Sequence, residues 1–79
     1  MNEIREKILR WQIKAEILLK EDIKIFIKDI NGTYFWAEIL IVGEDKITFQ
    51  PFKKNNEGEH ITKYWSDIVK FEEYMEELE

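Results

Sequence analysis

The sequence predicts a mainly β domain in which an N-terminal α-helix precedes a strongly bent, five-stranded antiparallel barrel. Three observations carry that prediction. Apolar residues recur at helical spacing over residues 2–20, five short apolar runs follow in close succession, and turn chemistry separates the runs. At 79 residues the chain is one domain, with the helix at 1–20, the barrel at 23–74 and an acidic tail at 75–79.

In the helix, Ile4, Ile8, Trp11, Ala15 and Leu18 alternate spacings of four and three, which puts them on one face. That face is expected to lie on the barrel. Leu9, Ile13 and Ile17 fall roughly opposite, among Glu6, Arg10, Glu16 and Lys20. One barrel cannot cover both sides of a helix. Either a neighbouring subunit meets the second stripe, or the helix ends early and Ile17-Leu18-Leu19 is already extended.

The runs cover residues 23–28, 33–42, 46–52, 60–64 and 68–74. In the first, Ile23, Ile25 and Ile27 alternate with Lys24, Phe26 and Lys28, giving one apolar face. Asn31-Gly32 then reads as a two-residue type I′ hairpin turn, since both positions need φ > 0. The second run is apolar on both faces, which suits a strand that bends to serve both halves of a small barrel, with the bend at Ala37. Gly43-Glu44-Asp45 turns into the third run, and Pro51, which has no N–H, marks an edge or bulge. Residues 53–59 form a polar loop, and Trp65-Ser66-Asp67 reads as one 3₁₀-like turn. The expected core comprises Ile8, Trp11, Ile25, Ile27, Phe35, Ile39, Ile41, Ile47, Phe49, Ile61 and Ile68.

A domain this small is marginally stable without reinforcement. Cysteine is absent and His60 is the only histidine, so disulfides are excluded and neither a metal nor a cofactor is expected. Eleven aromatics and a 44% hydrophobic content leave oligomerisation as the expected reinforcement. The zero cysteine count fits a reducing, cytoplasmic compartment, and no apolar stretch is long enough for a membrane. Charge is uneven. Residues 1–22 balance five basic against five acidic groups, residues 23–64 balance six against six, and the net −5 sits in residues 65–79. The barrel is neutral, so a low pI argues little against nucleic acid.

Ile23-x-Ile25-x-Ile27 with Asn31-Gly32, Ala37-Glu38-Ile39 with Gly43-Glu44-Asp45, and Tyr64 to Phe71 are placed like the strands and turns of the Sm-like (LSm and Hfq) proteins, which the chain resembles over nearly its whole length. Ala37 stands where the family has a bend glycine, and neither the arginine-glycine pair nor the tyrosine-lysine-histidine signature is present. The resemblance implies a small β-barrel and a cyclic homo-oligomer, of about five to seven subunits, built by pairing the outer strands of neighbours.

No enzymatic activity is expected. Ser66 is the only serine, and with Asp67 it reads as a turn-capping residue rather than as part of a triad with His60. For single-stranded RNA, His60, Lys63, Tyr64 and Trp65 combine flat rings with a cation, the pairing that stacks bases and neutralises phosphates. Lys53 and Lys54, beside Asn55 and Asn56, add phosphate contacts. Each has a plainer reading, as core or interface aromatics and as a solvated loop tip. Leu9, Ile13, Ile17, Phe26 and Trp36 form the candidate oligomer interface. Two functions follow: a non-catalytic RNA-binding ring, or a protein-assembly ring that has lost RNA binding. The acidic tail either screens one face from non-specific nucleic acid or serves solubility.

Overall fold

In the computed structural model, which describes residues 3–52 and 59–74, a helix α1 (Glu3–Lys20) precedes β1 (Ile25–Asp29), β2 (Tyr34–Val42), β3 (Lys46–Pro51), β4 (Ile61–Tyr64) and β5 (Ile68–Glu73), with a 3₁₀ turn (Trp65–Asp67) between the last two strands. All five strands are antiparallel in one sheet of order β4-β3-β2-β1-β5. The sheet is open. β4 pairs only with β3 and β5 only with β1, so no ladder joins the edges among the described residues. The architecture is a mixed α/β one with a strand majority, not a closed barrel.

The helix runs its full length and does not end early. Glu3 and Glu6 in its first turn and Lys20 in its last complement the helix dipole. At its end Asp22 takes φ 59°, the Ile23 N–H donates to Leu18 C=O and the Asp22 N–H to Leu19 C=O. That is a Schellman ending, with aspartate in the left-handed position that glycine usually fills. Ala15 and Leu18 are buried, and Ile8 and Trp11 pack on the core. Ile4, first of the same stripe, is exposed.

The β1–β2 turn departs from the expected type I′. The Gly32 N–H donates to Asp29 C=O and the Asp29 N–H to Thr33 C=O, while Gly32, at 91°, is the turn's one residue of positive φ. The loop therefore has three residues, Ile30-Asn31-Gly32, with the glycine in the bulge position. The Asp29 carboxylate explains the choice. Its Oδ1 accepts from the N–H of Asn31 at 2.9 Å and of Thr33 at 3.0 Å, which holds the turn from inside.

Two bulges redistribute the apolar residues. The β2–β3 register shifts between Ile39 and Ile41, so the break lies at Leu40 and not at Ala37, which is paired and fully buried. Phe35, Ala37 and Ile39 point inward, whereas Ile41, expected in the core, is 62% exposed. One extra residue flips every later side chain. In β5 the register shifts at Val69, so the buried residues Ile68 and Phe71 lie three apart. Pro51 sits where local edge behaviour is expected. The Phe52 N–H bonds Trp36 C=O, leaving the proline nitrogen on the side where β4 has ended at Ile61.

The other expected core residues are in place. Ile25, Ile27, Phe35, Ile39, Ile47, Phe49 and Ile68 are buried, and Ile8, Trp11 and Ile61 are half-buried against them. Burying each such side chain contributes about 1.5–3 kcal/mol relative to exposure. Phe71 and Ala37 join them unanticipated, and Trp65 takes the core position of its plainer reading. Among the described residues no helix is long and apolar enough to cross a membrane.

Candidate nucleic-acid interface

The cluster read from residues 60–65 is divided by strand alternation. β4 directs Ile61 and Lys63 toward the core side and Thr62 and Tyr64 to solvent. The Lys63 ammonium lies 2.9 Å from Asp29 Oδ2, so it neutralises a buried carboxylate. Burial pushes the Asp29 carboxyl up. The Lys63 hydrogen bond, the Thr33 N–H, the Lys63 charge and the Asn31 N–H together outweigh it and hold the group below its ordinary value. Trp65 is 1% exposed, with its indole N–H on Gly43 C=O at 3.0 Å, so it offers no face to a base. This corrects its reading as a stacking residue. Buried indoles seek an acceptor for the N–H, and Gly43 provides one. Gln12 donates to the same carbonyl at 2.9 Å, tying α1 to the β2–β3 turn.

Tyr64 remains available at 54% exposure, with its register partner Lys46 5.6 Å from the ring centroid. His60 is exposed. Lys53 and Lys54 lie outside the described residues, as does the 75–79 tail.

The sequence reading assigned Phe26 and Trp36 to an oligomer interface, on the face turned away from the isoleucines. On the solvent side of β1 and β2, Phe26, Tyr34 and Trp36 form a continuous aromatic cluster. Ring centroids are 5.1 Å apart for Tyr34–Trp36 and 5.7 Å for each pair involving Phe26. Phe26 and Trp36 are register partners, and Tyr34 faces Lys28, which in turn faces Lys70 across β5. Two lysines directly opposite destabilise a sheet. Lys70 is only 4.0 Å from Glu72 at an exposed position, a contact of little weight. The aromatic cluster thus has cations at its Tyr34 end and Glu72, opposite Phe26, at its other margin. Its signal in the sequence was the alternation of Phe26, Lys28, Tyr34 and Trp36 against the isoleucine face.

Other candidates are placed as follows. Leu9, Ile13 and Ile17 are 56%, 54% and 51% exposed along the outer side of α1. Phe26 and Trp36 are half-buried within the aromatic cluster. Ser66 and Asp67 do not cap the 3₁₀ turn through their side chains. Backbone bonds do so instead, from Trp65 N–H to Asp45 C=O and from Ile30 N–H to Asp67 C=O. Among the described residues no group of three or more His, Cys, Asp or Glu side chains is placed to hold a metal. Comparison with protein-family models returns no match, and no curated protein matches the chain.

Proposed function

We propose that the chain is a non-catalytic, Sm-like scaffold that holds single-stranded RNA, working as a cyclic assembly of about five to seven copies. The observation that carries the RNA reading is the solvent-side cluster of Phe26, Tyr34 and Trp36, with Lys28 and Lys70 opposed beside it. Stacked rings next to paired cations match the two needs of a single strand, a flat surface for bases and charge for phosphates. An anion bridging the two ammonium groups also relieves a repulsion that the sheet otherwise bears. Tyr64 and Lys46 make a separate ring–cation pair at the β3–β4 edge.

Two links draw β4 and β3 toward β5 within the open sheet. The step from Tyr64 to Ile68 covers at most about 14 Å, by the reach of four extended residues. The edges of a flat five-stranded sheet would lie roughly 19 Å apart. At the opposite end the rings of Phe52 and Tyr74, beyond β3 and β5, are 5.5 Å apart. Among the described residues β4 and β5 each pair on one side only, which suits the two edges to pairing between copies.

The test is binding of fluorescent oligouridine and oligoadenosine to the full chain across a salt series. Affinity is expected to fall linearly in log–log form as phosphate contacts are screened. Replacing Tyr34 with alanine is expected to weaken binding about 5- to 100-fold, the range for losing one stacked base. No binding of either oligomer at low salt overturns the RNA reading. It would favour a protein-assembly ring, a reading supported by Glu72 opposite Phe26 at the margin of the aromatic patch.

A further inference from the structure

We propose that α1 pairs antiparallel with α1 of a second copy of this chain, across a two-fold axis at Ile13. The inference does not depend on RNA binding. Leu9, Ile13 and Ile17 lie on the side of the helix opposite the buried Ala15 and Leu18, and each is more than half exposed. At 3.6 residues per turn, Leu9 and Ile17 point about 40° to either side of Ile13, and Glu6 and Lys20 about 20° to either side. The stripe is therefore symmetric about Ile13, with an acid at one end and a base at the other.

That symmetry identifies the occupant. A two-fold axis at Ile13 brings residues whose numbers are equally far before and after it to the same height on the two helices. Leu9 then shares a height with Ile17 of the partner subunit, and Ile13 meets its own copy. Glu6 comes level with Lys20 of the partner subunit, and both lie within about 20° of the contact line. A parallel, in-register pair would instead set Glu6 and Lys20 each against its own copy. Self-complementarity of this kind is what an isologous interface requires, and opposed charges fix orientation between helices. Three half-exposed aliphatic side chains per copy make a small contact, so pairing is expected to be weak and concentration-dependent.

Sedimentation equilibrium of the full chain over roughly 5 to 500 µM, the range suited to a small interface, supplies the reference mass. Ile13→Glu, which sets two carboxylates on the axis, is expected to halve that mass, with circular dichroism showing an unchanged fold. Glu6→Lys and Lys20→Glu are each expected to weaken pairing about 3- to 10-fold, and the double variant to restore it, since charge reversal at both ends recreates the same pairs. The chain has no cysteine, so Ile13→Cys gives a clean geometric reporter. It is expected to oxidise to a disulfide dimer much faster than the exposed control Ser66→Cys, because residues on the axis fall within bridging distance. A monomeric wild type across the range, an unchanged mass for Ile13→Glu, a double charge reversal no better than the singles, or equal oxidation of the two cysteine variants overturns the proposal.

Discussion

The two sides of the sheet each carry three mutually touching aromatic rings, in opposite circumstances. On the helix side Trp11, Trp65 and Phe71 meet at centroid distances of 5.6–6.4 Å, with Trp65 and Phe71 buried and the Trp65 N–H bonded. On the solvent side Phe26, Tyr34 and Trp36 meet at 5.1–5.7 Å, with Tyr34 49% exposed. Similar ring geometry therefore has different consequences. Inner rings are held by the removal of apolar area from water, whereas outer rings leave part of that free energy available to a ligand. The charges follow the same division, since inner Asp29 is neutralised by Lys63 while outer Lys28 faces another lysine.

The largest expected effect separates the two trios directly. Trp65→Ala should cost about 3–5 kcal/mol in urea denaturation, as for other large-to-small changes at buried aromatic positions, against under about 1 kcal/mol for Tyr34→Ala. Equal losses would show that the outer rings are structural too.

Next comes the inner charge. Asp29→Ala is expected to cost about 2–3 kcal/mol, because two turn N–H groups and Lys63 lose their acceptor. The pH dependence has a definite sign. The folded-state pKa of Asp29 lies below the unfolded one, so its contribution is complete above the unfolded value and is lost as pH falls through the folded one. Acid titration of the melting temperature should show this loss in the wild type and a flatter profile in Asp29→Asn.

A smaller effect of opposite sign is expected outside. Lys70→Glu replaces a like-charge cross-strand pair with an opposite one and should raise stability by about 0.2–1 kcal/mol, while weakening binding of RNA oligomers. A variant that gains stability and keeps affinity would remove Lys70 from the proposed interface. The smallest is Ile41→Thr, which should change stability by no more than about 0.5 kcal/mol. A loss as large as that of a core isoleucine would return Ile41 to the interior and displace the bulge at Leu40.

Most of the fold was legible because its elements depend on local rules. Helical spacing gave α1 as an element, alternation gave β1, and Trp65-Ser66-Asp67 was readable as a 3₁₀ turn from its length. The interface was less legible, because adjacent residues in a strand point to opposite sides. Lys63, Tyr64 and Trp65 are neighbours in sequence, yet one neutralises Asp29, one faces solvent and one fills the core. The outer trio joins residues eight and ten positions apart, Phe26 with Tyr34 and Trp36; alternation puts all three on the side away from the core, and strand register brings the rings into contact.

By itself the sequence determined the element order, the apolar side of the helix and of β1, the absence of disulfide reinforcement and the placement of net charge in the last fifteen residues. Those properties follow from side-chain type and spacing along a single segment. Tertiary structure alone decided that Ile41 leaves the core, that Asp29 holds its turn and captures Lys63, and that Gly43 gathers the amide of Gln12 and the indole of Trp65. Each depends on a register shift or on a partner more than twenty residues away in sequence or across a turn, where pairing between segments, and not the preference of either one, sets which side chains meet.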